Sequence, residues 1–159
     1  MKLLYFICLS PILIFGQEIE SNLPIVFINT GGQTILDNPR IICQMGIINN
    51  KDGTNNSNDN FNDYNGQISI EMRGSSSQQI FPKKSYSLET QTSTGENNNI
   101  SILNLPDEND WVLYAPYSDK TLLRNSLSYE ISRKMGYYAP RTKYCELFIN
   151  SEYMGIYVL

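Results

Sequence analysis

The sequence predicts an α+β fold, rich in strands with one main helix, and three observations carry that expectation. Short apolar or alternating runs recur between stretches rich in Asn, Gly and Ser, as strands separated by turns require. One stretch alone, residues 119–136, carries a four-residue apolar repeat bounded by an N-capping and a C-capping residue type. The length supports one domain with a real core and little more.

The N-terminus comes first. Met1-Lys2 precedes an apolar run from Leu3 to Phe15, broken only by Ser10-Pro11, and Gly16 closes it before polar Gln17-Glu18. Residues 1–16 therefore read as a secretory signal peptide, which places the protein outside the cell or at its surface. The run is short for a bilayer and no later one is longer, so no membrane span is expected. Its removal from 159 residues leaves 143, and the loss of Lys2 leaves 11 basic against 16 acidic side chains. An acidic balance argues against a nucleic-acid partner, which requires clustered Lys and Arg. With no histidine, Ser-His and Cys-His nucleophile pairs and histidine metal sites are excluded. Acid–base chemistry then falls to carboxylates, Lys or Tyr.

The elements follow in order. Leu23 to Ile28 is a nearly continuous apolar run, as in a buried strand, and Gly31-Gly32 ends it. Ile41 to Ile48 is a second strand, in which Gly46 marks a bulge. Asn49 to Gly66 is dominated by Asn, Asp and Gly and reads as a long surface loop anchored by Phe61 and Tyr64. Ile68, Ile70 and Met72 alternate with polar residues in a half-buried strand. Ser85 to Thr90 is another, with Tyr86 and Leu88 on one face, and Asp110 to Tyr114 a short buried one holding the only Trp. Lys143 to Ile149, a tight Asn150-Ser151-Glu152 turn and Tyr153 to Leu159 read as a β-hairpin. Export permits a disulfide between Cys43 and Cys145, but both lie in apolar strands, where a free thiol behaves as a small hydrophobe, and two buried thiols are favoured.

The helix lies before that hairpin. Asp119 is its expected N-cap and Gly136 its C′ glycine. Leu123, Leu127, Ile131 and Met135 form one stripe, expected to face the core. Glu130 lies nearly two turns after Leu123 and so projects on the same face. A carboxylate there needs a partner, and a Lys or Arg from a neighbouring strand is the natural one.

Two segments carry groups that bind anions. Arg73-Gly74-Ser75-Ser76-Ser77 leaves a strand and is followed by Lys83-Lys84. Such a loop can cradle phosphate oxygens with backbone N–H groups, hydroxyls and a nearby cation, or can be a solvated turn. It lacks the spacing of a Walker loop. Ser118 to Asn125 gathers polar groups at the start of the helix, where they face an anion or merely cap it. Asn58 to Gly66 fails as an EF-hand, because Phe61 and Met72 fall where carboxylate ligands belong.

These residues together resemble a family. Ile70 to Gln78, then Phe81 to Leu88, resemble the opening of the spore-coat-protein-H (CotH) kinase family, as do Leu103-Asn104-Leu105-Pro106 and Asn109 to Leu113. Ser118 to Asn125 through Tyr129-Glu130 and Gly136 is similar to that family's next block. Tyr138 to Thr142 and the Asn150 to Tyr157 hairpin are similar to the one after. The blocks span essentially all of the mature chain, and its Asn-rich loops resemble secreted members from Bacteroidetes-type bacteria.

The resemblance implies an exported or coat-associated atypical kinase that moves the ATP γ-phosphate to Ser or Thr of a secreted or coat protein, with Mg or Mn. It implies that residues 17–159 are the β-rich small-lobe-like portion of a kinase-like fold. By analogy Lys83 or Lys84 holds the phosphates and pairs with Glu130, while Arg73, Ser75 and Ser76 border them. Family members continue into a larger lobe with the metal-binding acidic residues. None of the catalytic or metal-binding residues is therefore assigned to this chain, which is expected to be an N-terminal fragment, inactive alone. The alternative is a non-catalytic secreted β-rich binding or surface-attachment module. A glycan-binding domain is a third reading, resting only on 11 Tyr, 6 Phe and the Asn-rich loops.

Overall fold

The computed structural model describes residues 18–159; the expected signal peptide, residues 1–16, lies outside them. Among the described residues nine strands and two helices follow one another. β1 is Glu20–Ser21, β2 Ile25–Asn29, β3 Ile41–Ile48, β4 Asn55–Asn56 and β5 Tyr64–Arg73. Then come α1 (Ser76–Ile80), β6 (Ser85–Thr90), β7 (Asp110–Leu113), α2 (Arg124–Lys134), β8 (Tyr144–Ile149) and β9 (Glu152–Val158). Seven strands form one sheet in the order β7-β6-β5-β3-β2-β8-β9, antiparallel except where β2 runs parallel to β8.

The sheet curls until its two ends meet. The Tyr114 N–H donates to Val158 O at 2.8 Å and the Val158 N–H to Tyr114 O at 3.0 Å. Curling turns one face of every strand inward, and the period-two alternation of the sequence fills that interior with Val26, Ile28, Met45, Ile47, Ile68, Ile70, Leu88 and Leu147. Truncating one of these fully buried side chains, Leu88→Ala for example, costs about 2–5 kcal/mol. A smaller apolar cluster, Ile25, Ile48 and Phe148, lies apart from this core, with Phe27 and Tyr153 packed against it.

Most expected elements stand where the sequence pattern places them, β3 and β6 to the residue. Cys43 and Cys145 are free buried thiols, and burial pushes both up to about 12. The hairpin turns through Asn150 (φ 49°) and Ser151 (φ 69°), the left-handed pair that a two-residue turn requires.

Four expectations need correction. Gly46 is not bulged: β3 pairs in continuous register on both sides, Phe27 opposite Gly46 and Gly46 opposite Asn65. Its missing side chain serves contact instead, since a Cβ there would meet the Phe61 ring at 2.5 Å. The long loop is shorter than read, because β5 begins at Tyr64, and inside it Asn55 is buried. Its amide donates to Leu23 O at 3.0 Å and accepts the Asn50 N–H at 2.7 Å.

The helix begins at Arg124, because Leu122 adopts a left-handed φ of 61° that no helix continues through. The apolar stripe does not face the core. Leu123, Leu127, Ile131 and Met135 are 54%, 56%, 49% and 66% exposed, and α2 has no buried residue.

Candidate functional site

The glycine-and-hydroxyl loop is built at the end of β5. Arg73 closes that strand, paired with Ser85 at the start of β6, so both side chains sit at one mouth of the curled sheet. Gly74 follows with φ 114°, and a Cβ on it would lie 2.1 Å from the Ser77 Oγ. Glycine is thus required twice, for the backbone and for the space. Ser75 precedes α1 without a side-chain cap, and Ser76 begins it; both are exposed.

The two lysines part company. The Lys83 ammonium donates to Ile156 O at 2.6 Å and lies 4.4 Å from the centre of the Tyr157 ring. Burial shifts its pKa downward, with the Glu146 carboxylate opposing the shift. The Lys84 ammonium donates to Gln78 O at 2.5 Å and Phe81 O at 2.7 Å, tying down the carbonyls at the end of α1.

The expected partnership of Glu130 with a strand lysine is absent, because α2 is turned with its polar side over the sheet. Glu130 instead accepts from Arg133 at 2.6 Å and lies 3.5 Å from Lys134, one turn on. The Arg133 hydrogen bond holds its carboxyl below the ordinary value.

Between that polar side of α2 and the mouth of the sheet runs a cleft of about 1090 Å³. Arg73, Gly74, Ser77 and Ser85 form one wall. Asn125, Tyr129 and Arg133, four residues apart on α2, form the facing wall. Asp107 and Glu108 before β7 and Asp110 at its start stand on the rim, and Tyr114, Val158 and Leu159 on the floor. Of the residues expected to bind an anion, Arg73, Gly74, Ser77 and Asn125 line this cleft, and of those assigned to the phosphates by resemblance only Arg73 does. Ser75, Ser76, Lys83, Lys84 and Glu130 do not line it. Ser85, Tyr129 and Arg133 were missed. The helix residues were signalled by the same four-residue period, read on the opposite face from the apolar stripe.

The start of the helix is organised by Asp119. Its carboxylate is buried, accepting the Arg124 N–H at 2.8 Å, the Thr121 hydroxyl at 2.7 Å and the Thr121 N–H at 3.1 Å. These donors, the Arg124 amide foremost, hold its pKa below the ordinary value.

Whether the cleft suits a nucleotide can be judged from its donors. Polyphosphate oxygens only accept, and the cleft offers three guanidinium groups, Arg73, Arg133 and Arg141, with the hydroxyl of Ser77; Arg133 already donates to Glu130 and Pro140 O and keeps its remaining N–H groups. Ser85 Oγ accepts the Ala115 N–H at 2.9 Å, which leaves its own proton to donate. The Trp111 indole N–H is buried in the wall and has no acceptor among the described residues. These groups fit a phosphate chain. A metal is a different matter: the described residues contain no cluster of three His, Cys, Asp or Glu side chains.

A search of curated proteins finds no match. A comparison with family models matches residues 70–159, from the strand that ends in Arg73 to the last residue on the cleft floor, with the CotH kinase protein family. That stretch is more than half of the chain and carries both walls of the cleft, and the chain belongs to the CotH kinase protein family.

Proposed function

We propose that residues 18–159 form the phosphate-facing portion of an exported CotH-like kinase that moves the ATP γ-phosphoryl group to a hydroxyl of a secreted or coat protein. The observation that carries this reading is the coincidence of the family match with a donor-lined cleft beginning at Arg73. Arg73, Arg133, Ser77 and Ser85 would hold the phosphate oxygens, with Ser75, Ser76, Lys83 and Lys84 near that end of the sheet. ATP supplies the transferred group. In this reading the metal-holding carboxylates, with Mg or Mn, come from a second lobe outside this stretch, and that lobe covers the apolar stripe of α2.

Thermal unfolding of the full-length protein with ATP and Mg or Mn tests it. Nucleotide at a hundredfold excess over its Kd stabilises the fold by about 2.7 kcal/mol. Arg73→Ala and Arg133→Ala should each remove most of that shift, while residues 17–159 alone should phosphorylate nothing. No shift with either metal would overturn the nucleotide assignment, and phosphorylation by residues 17–159 alone would overturn the division of labour.

One observation favours a second reading, a non-catalytic secreted binding or attachment module. Lys83 spends its ammonium on Ile156 O and Glu130 spends its carboxylate on Arg133, so the Lys–Glu pair on which kinases rely is unformed. Under that reading ATP leaves the melting curve unmoved.

A further inference from the structure

On the outer face of the sheet, away from the cleft and sharing no lining residue with it, lies a second depression of about 540 Å³. Its floor is aromatic. Phe27 projects from β2, 4.8 Å between ring centres from Phe148 on β8 and 5.6 Å from Phe61. The Phe61 ring lies against the backbone of Gly46, where any side chain would collide with it, and stays 43% exposed.

The rim is made of amides. Asn29 and Gln44 stand opposite each other across β2 and β3, and Asn65 stands opposite Gly46 across β3 and β5. All three are exposed, and among the described residues the amides of Gln44 and Asn65 have no hydrogen-bond partner. No lining side chain is ionisable.

We propose that this depression is a binding site for a neutral carbohydrate. Small-molecule sites of about 300–1,000 Å³ combine apolar or aromatic surface with a few convergent polar groups, and this one has that composition. A sugar ring presents an apolar C–H face, which an aromatic ring accepts, and an edge of paired hydroxyls. Each hydroxyl both donates and accepts, as a side-chain amide does. The lack of charge argues against a phosphate, a uronate or a cation. An extended peptide is disfavoured for another reason. β2 and β3 are interior strands paired on both sides, so no free strand edge exists for a peptide backbone to join.

The site is independent of the kinase reading, and its test separates the two. The full-length protein is applied to an array of neutral oligosaccharides and to an array of proline-rich peptides, and the best neutral glycan is titrated by calorimetry. Saturable binding of at least one neutral glycan is expected. Phe61→Ala should weaken it at least tenfold. The double change Gln44→Ala with Asn65→Ala touches no core residue, so it keeps the fold and should weaken binding at least fivefold. Arg73→Ala, on the cleft wall, should leave it unchanged. The proposal is overturned if no neutral glycan binds, if binding survives the double amide change, or if only peptides or charged glycans bind. An ATP shift without glycan binding would sink this site and leave the kinase reading standing.

Discussion

Single residues decide where this chain departs from its own pattern. Asp119 sits five residues before the helix it organises, and its carboxylate is held ionised by the Arg124 and Thr121 N–H groups. Its folded pKa lies below its unfolded value, so its stabilising contribution is complete above the unfolded value, about pH 4, and is lost as pH falls through the folded one. Asp119→Asn should therefore be less stable than the parent at neutral pH, with the gap closing in acid. Denaturation midpoints of the two proteins, compared from neutrality to about pH 3, check this. A gap independent of pH would mean that the charge contributes nothing. Gly46 makes a different case. Its Cβ would meet the ring carbons of Phe61, including Cγ, so the ring must leave its seat over β3. Gly46→Ala should cost about 1–3 kcal/mol in urea unfolding and expose the floor of the outer depression. Sequence marks such a glycine as a strand interruption, because the contact it permits is made by a residue fifteen positions away, in a loop.

Elements were legible where the pattern is local. The apolar run Ile41–Ile48 and the alternation over Ser85–Thr90 located both strands, since each pattern is local. The end of α2 was legible for the same reason. Gly136 takes φ 86°, its N–H bonds Arg133 O and the Tyr137 N–H bonds Ser132 O, the paired closure that a C′ glycine permits. The direction in which α2 faces was not legible. Periodicity shows that a helix has two sides and says nothing of which one meets the sheet. Here Asn125, Tyr129 and Arg133 take the cleft, and Leu127 and Ile131 take the outside. The Lys–Glu pairing inferred from element order failed with it, and so most of the cleft went unread. α1, only five residues long, carries no period to read. The exposed stripe makes a sharp prediction. Leu127→Gln with Ile131→Gln should change the unfolding free energy of residues 18–159 by no more than about 0.5 kcal/mol, as at ordinary surface positions. A loss of several kcal/mol would place the stripe in contact with the sheet.

The whole molecule depends on a seam that no local pattern announces. Residues 110–114 and residue 158 are far apart in the chain, yet the Tyr114–Val158 pair joins the two ends of a seven-stranded sheet. The Lys143 and Leu159 main chains exchange N–H donors beside it at 2.9 and 2.8 Å. The seam does two things at once. It completes the wall around the core, and it lays Tyr114, Val158 and Leu159 under the cleft as its floor. The core and the cleft floor are therefore coupled through one backbone pair. Val158→Pro removes the N–H that Tyr114 O accepts while keeping an apolar ring in the buried position. An acceptor left buried without its donor costs about 1–3 kcal/mol, and the loss should appear in urea unfolding. Hydrogen exchange adds the spatial test. The Tyr114 amide should lose protection first, with β7 and β9 following, while the amides of β2 and β3 in the middle of the sheet exchange as before. If the seam is intact in solution, the same change should also weaken whatever the cleft holds, because its floor moves with the seam. Unchanged protection at Tyr114 would mean that the ends of the sheet do not meet.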